Sequence, residues 1–68
     1  MVDGLKIKSL REANGLTTYE LAESVRSSQT MVVQVEHGDR QPSVALLKRI
    51  ADFFGLSVDD FIKGKEGE

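Results

Sequence analysis

The sequence predicts a compact all-α domain of five short helices, and three observations carry this. Apolar residues recur at helical spacing, most cleanly as Leu47, Ile50, Ala51 and Phe54 at i, i+3, i+4 and i+7. Segments with that pattern open on Ser or Thr and close on Gly, the residue types that cap helix ends. Finally, 68 residues without a cysteine leave room for one modest core, built efficiently from short elements or stabilised by a partner subunit.

The first helix is expected from about Asp3 to Asn14, with Leu5, Ile7, Leu10 and Ala13 loosely on one face and Lys6, Lys8 and Glu12 on the other. Asn14-Gly15 supplies a left-handed stop. Thr17, with Glu20 three residues on, has the spacing of a capping box, and Leu21, Ala22 and Val25 give the second helix its apolar face. Ser27-Ser28 opens a third helix, Gln29 to about His37, ended by Gly38. Within it, Thr30-Met31-Val32-Val33-Gln34-Val35 is rich in β-branched residues and reads as a strand on propensity alone. Helix is preferred because the apolar positions do not alternate, Ser28 offers a cap, and no second strand exists to satisfy the backbone. Pro42-Ser43 begins the fourth helix and Gly55 closes it. Ser57 caps a last short helix with Asp60 three residues on, and Phe61 and Ile62 face inward. The domain spans 1–63, followed by a frayed charged tail at 64–68.

Composition excludes several classes. With 40% hydrophobic and 29% charged residues the chain is ordinary globular protein. The longest apolar run, Val44-Ala45-Leu46-Leu47, is far short of the roughly 20 residues that span a bilayer. Met1-Val2-Asp3-Gly4 lacks the features of a signal peptide, so a cytoplasmic location is expected and no membrane association. No cysteine, a single histidine and no Gly-rich phosphate loop argue against catalysis, metal binding or a cofactor. Asp59-Asp60 is a carboxylate pair, but adjacent helical residues diverge by about 100°. The net charge of −2 is unevenly placed. Residues 26–49 carry Arg26, Arg40, Lys48 and Arg49 against Glu36 and Asp39, a local +2, whereas residues 50–68 carry −3. Local field, more than total charge, decides approach to phosphate.

Gly15-Leu16-Thr17-Thr18-Tyr19-Glu20-Leu21-Ala22, then Ser28 opening a helix that ends Glu36-His37-Gly38, then Pro42-Ser43 and Phe54-Gly55-Leu56-Ser57, together resemble the Cro and phage-repressor type of helix-turn-helix domain, the xenobiotic-response-element family. The likeness covers about residues 5 to 62 at consistent spacing. It implies a lambda-repressor-like fold whose second and third helices form the helix-turn-helix, the third lying in the major groove of double-stranded DNA.

In that register, steps of 100° put Val32 and Val35 on the buried side of the third helix. Thr30, Val33, Gln34 and His37 fall opposite, with Gln29 at the leading edge and Met31 at a boundary. Gln29 and Gln34 are the principal candidate base readers, since a glutamine amide suits bidentate pairing to adenine. Val33 could meet a thymine methyl, and Thr30 a base or a phosphate. Backbone contacts are expected from Thr18, where the family commonly has glutamine, from Ser28, and from Arg40 in the loop after the third helix. The resemblance implies that Arg11 and Glu36 pair as a largely buried, structural ion pair. Arg26 stands where the family often has glycine and Ser27 where it usually buries an apolar residue, so both departures fall in the turn. A positive φ at Arg26 would cost about 1 kcal/mol relative to glycine. His37 is read as a surface residue near a helix C-terminus.

Leu46 and Phe53, seven apart and off the main core stripe, together with Leu56 and Val58, suggest a two-fold dimer contact. The expectation is therefore a sequence-specific transcriptional regulator, a repressor, binding a near-palindromic operator as a homodimer with its recognition helices ~34 Å apart. The alternative is a protein-interaction module, an antitoxin or adaptor, that uses Met31 and Val33 to bind a protein partner.

Overall fold

The structure, a computed structural model, describes residues 1–63; the expected charged tail lies outside the described residues. It contains α1 (Gly4–Ala13), α2 (Thr18–Ser24), α3 (Gln29–His37), α4 (Val44–Phe54) and a single 3-10 turn, Val58–Phe61. Each α-helix starts where a short polar side chain meets an orphan backbone N–H. Asp3, Thr17, Ser28 and Ser43 accept from the N–H groups of Lys6, Glu20, Met31 and Leu46 at 3.0–3.1 Å. At α2 the box is complete, because Glu20 accepts in return from the Thr17 N–H at 2.9 Å. The β-branched run is helical in α3, where Ser28 caps it and the buried Val32 and Val35 join the core.

The helix ends are equally uniform. Gly15, Gly38 and Gly55 take left-handed φ of 69°, 81° and 72°. In each case the next residue's N–H reaches back to the last turn: Leu16 to Arg11 O, Asp39 to Gln34 O and Leu56 to Ala51 O.

α3 is central, packing against both α1 and α2, while the 3-10 turn packs on α4 and α1. The core holds Ile7, Leu21, Val25, Val32, Val35, Leu46, Leu47, Ile50 and Phe61, with Ala22 and Ala51 filling narrower gaps. Phe61 is fully buried and anchors the C-terminal end of the described chain.

Three sequence expectations are corrected. First, α1 does not bury Leu5 or Ala13, both exposed; it buries Gly4, Ile7 and Arg11, and Leu10 is half-buried. That stripe has helical period, but two of its members carry no apolar side chain, so hydropathy misplaces the face. Gly4 is buried because backbone approaches backbone: a Cβ there would collide with the carbonyl oxygens of Val35 and Glu36. Second, α4 rotates its buried face toward Leu46, leaving Phe54 half-buried with its ring edge-on to Phe53, 5.0 Å between centroids. Third, the last element is a 3-10 turn rather than an α-helix. Asp60 accepts from the Ser57 N–H at 2.9 Å, but after Phe61 the chain turns extended. Ile62, half-buried, forms an antiparallel bridge with Val2, flanked by Asp3 N–H to Phe61 O at 2.7 Å and Lys63 N–H to Met1 O at 2.8 Å. Both ends of the described chain thus close on each other.

Candidate nucleic-acid interface

The α2–α3 junction is built from the turn outward. Arg26 has φ 58°, the one positive-φ residue other than glycine among those described. Its N–H bonds Glu23 O at 3.2 Å and the Ser27 N–H bonds Ala22 O at 2.8 Å, the same double stop that the glycines make elsewhere. The two departures in the turn therefore leave its hydrogen bonding intact: Arg26 bears the left-handed strain and the half-buried Ser27 uses its backbone rather than an apolar side chain. A further residue, counted from the sequence only as part of the local positive charge, secures the turn from below. Arg49 of α4 donates from Nε to Val25 O at 2.7 Å, satisfying a carbonyl at the end of α2. Only the fold brings position 49 to position 25, so no local pattern could signal it.

At the start of α3 the structure joins two candidates. Gln29 Nε2 donates to Thr18 Oγ1 at 2.9 Å, tying the beginnings of α2 and α3 together. Gln29, Thr30, Ser28 and Arg40 are exposed, and Thr18 is half-buried. Val33 and Gln34 are half-buried rather than fully outward, and Gln34 Oε1 is shut off from solvent with no hydrogen-bond partner. Met31 is half-buried against the core, as its boundary position implies, and His37 is exposed.

Behind α3, Arg11 and Glu36 form a two-pronged ion pair, Nε to Oε2 at 2.7 Å and Nη2 to Oε1 at 3.1 Å, while Nη1 donates to Leu16 O at 2.8 Å. Arg11 is 9% exposed and Glu36 4%. The hydrogen bond to Glu36, aided by the carboxylate's charge and opposed by burial, pushes the guanidinium still further above its ordinary range. Arg11 stays charged at every accessible pH. Its charge also neutralises Glu36, which leaves Asp39, and Asp52 at 3.8 Å from Lys48, to offset the four basic side chains between positions 26 and 49.

The expected dimer residues separate. Phe53 is 43% exposed, Leu56 and Val58 are half-buried against the core, and Leu46, at 4%, is a core residue that its own chain covers. Position 46 leaves the contact because α4 is rotated relative to its simplest apolar stripe. Val44, 81% exposed at the start of the same helix, is the larger apolar surface that the sequence reading passed over.

Among the described residues no cluster of His, Asp or Glu could hold a metal ion, and no helix is long and apolar enough to cross a membrane.

Two short helices held at a capped, left-handed turn, the second presenting exposed polar residues, define a helix-turn-helix unit. A helix-turn-helix family model matches residues 7–61, and the chain belongs to that family. It is 34% identical over 61 residues to the transcriptional activator BcrR of Enterococcus faecalis, a match over 90% of this chain that spans 30% of BcrR's length. The P22 c2 repressor has the same fold, with a TM-score of 0.86 at 22% identity over 96% of this chain and 98% of its own. SinR, a master regulator for biofilm formation solved in complex with DNA, superposes with a TM-score of 0.75 at 26% identity, over 82% of this chain and 90% of its own. A structure of SinR with SinI protein gives 0.84 at 25% identity, covering 98% of this chain and 65% of that one.

Proposed function

We propose that this chain is a sequence-specific double-stranded DNA-binding transcriptional regulator that acts in the cytoplasm on the nucleoid and represses by occupying its operator. The observation that carries the reading is the α2–α3 unit itself, with the Gln29–Thr18 hydrogen bond at its leading edge and a likeness to a SinR chain bound to DNA. In this reading α3 enters the major groove, and Gln29, Thr30, Val33 and Gln34 face the bases. Thr18 uses its hydroxyl as a bridge. The oxygen accepts from Gln29 while the O–H remains to donate to a phosphate, so backbone contact and base reader position one another. Ser28 and Arg40 supply the other phosphate contacts. A homodimer joined through Phe53, Leu56 and Val58 would double these contacts and offset the chain's low net charge.

A protein partner is the second reading, favoured by the SinR–SinI complex. The packing of Met31 against the core leaves Val33 as the main apolar residue such a partner would meet. Selection from a random duplex pool at fixed, near-physiological salt separates the two. A two-fold-symmetric motif that Gln29→Ala/Gln34→Ala loses supports dimeric major-groove readout. A folded protein that enriches nothing refutes it. Binding to the motif should also weaken steeply with salt, which an apolar protein contact would not.

A further inference from the structure

We infer that Gln41 is a positioning residue for DNA contact: its side-chain oxygen ties the loop carrying Arg40 to Val2, so the N-terminal segment sets where Arg40 meets phosphate. This rests on the DNA-binding reading above, in which Arg40 supplies a backbone contact.

The loop between α3 and α4 has little else to hold it. Asp39 N–H reaches back to Gln34 O at 2.9 Å, and Ser43 caps α4 through Leu46 N–H at 3.1 Å. Between those two fixed points the backbone N–H groups of Arg40 and Gln41 find no partner among the described residues, and Pro42 has none to offer. The hydrogen bond that spans this gap comes from 39 residues away: Val2 N–H donates to Gln41 Oε1 at 2.9 Å.

Val2 is a firm anchor. It bridges Ile62, and on either side Asp3 N–H donates to Phe61 O at 2.7 Å and Lys63 N–H to Met1 O at 2.8 Å. Neither of those bonds uses the Val2 N–H, which is left for Gln41. Phe61 is fully buried, so the contacts run from the core, through the bridge between the chain's ends, to Gln41 and the arginine beside it. An arginine on an untethered loop must be ordered when it meets phosphate, which subtracts from affinity; a loop already held meets it at lower entropic cost. Gln41 is exposed and Val2 half-buried, so water replaces the bond when it is lost and the fold loses little. A merely structural bond would show in the melting temperature. A positioning bond shows in DNA affinity at unchanged melting temperature.

The test uses the full chain and the duplex motif that wild type selects, with affinity read by fluorescence anisotropy at fixed salt. Each variant's thermal melt is followed by circular dichroism. Gln41→Ala should weaken binding about three- to tenfold and leave the melt as in wild type. In an Arg40→Ala background the same substitution should change affinity by less than about twofold, because the residue it positions is gone. Val2→Pro removes the donor and leaves the loop sequence intact, and the bridge tolerates it because its bonds do not use that N–H. It should weaken binding as Gln41→Ala does. The inference is overturned if Gln41→Ala binds like wild type, if its full effect persists without Arg40, or if folded Val2→Pro binds like wild type. Should Val2→Pro not fold, the Gln41 and Arg40 cycle decides alone. In all these cases wild type still binds its motif and the DNA-binding reading survives. If the folded wild type enriches no motif, that reading fails and the role of Gln41 fails with it.

Discussion

Replacing Glu36 by glutamine isolates the charge of the buried pair without leaving a cavity, because the two side chains are nearly isosteric. Glu36 is 4% exposed and accepts two guanidinium donors, at 2.7 and 3.1 Å. A glutamine keeps one acceptor but turns an NH2 group toward the second donor. Arg11 would then retain its bond to Leu16 O and a loose contact with Glu12, 3.9 Å away on the surface. Leaving a buried charge without its partner costs about 3–5 kcal/mol, and the surviving hydrogen bond puts Glu36→Gln near 3. The whole domain, at roughly 0.05–0.15 kcal/mol per residue, is stable by only about 3–10 kcal/mol. Glu36→Gln should therefore remove between about a third and all of the stability of the domain. Urea unfolding followed by circular dichroism at 10 °C measures the loss, provided the slope with denaturant is unchanged. The double replacement Arg11→Met/Glu36→Leu removes both charges and should recover most of the stability. A loss below about 1 kcal/mol for Glu36→Gln, the size expected of a solvent-exposed pair, would refute the argument that burial makes this ion pair indispensable once formed.

Arg26→Gly relieves a left-handed φ of 58°. The relief of about 1–2 kcal/mol, less the entropy glycine costs, should leave a net gain of up to about 1 kcal/mol in urea midpoint stability. Gly4→Ala should destabilise by about 1–3 kcal/mol despite alanine's higher helix propensity, because the new methyl meets the Val35 and Glu36 carbonyls; Leu5→Ala, at an exposed neighbouring site, is the thermal-melting control. Arg40→Ala should weaken binding to all duplexes alike and reduce the slope of log affinity against log salt by about 1, measured by fluorescence anisotropy. Phe53→Asp should shift a dimer toward monomer in sedimentation while leaving the helical circular dichroism signal intact, since the ring is 43% exposed.

Helix beginnings and ends were legible in the sequence because caps act locally. Asp3, Thr17, Ser28 and Ser43 each bond a backbone group three residues away, and Gly15, Gly38 and Gly55 need only their own φ. The strain at Arg26 was legible only through the family resemblance, which often places glycine there; the structure supplies the φ of 58° and the double stop that imposes it. Faces were harder to read. Ile7 was placed correctly, but Gly4 is buried through backbone contact and Arg11 through its ion pair, and neither registers as hydrophobic. Leu46 looked free because α4's rotation about its axis is fixed by neighbours far along the chain.

Local pattern places the helices and the residue types along α3, because caps and apolar spacing act over three or four residues. Which helices form the motif came from the resemblance of the whole register to a family. Tertiary structure alone decided how those residues can be used. It brought Gln29 to Thr18, Arg49 to Val25 and Arg11 to Glu36, and it closed Gln34 Oε1 off from water. Each of these depends on groups 11 to 25 residues apart meeting in space, or on the burial that packing imposes. A glutamine is the same letter at positions 29 and 34, yet only the first meets a side-chain partner in the fold.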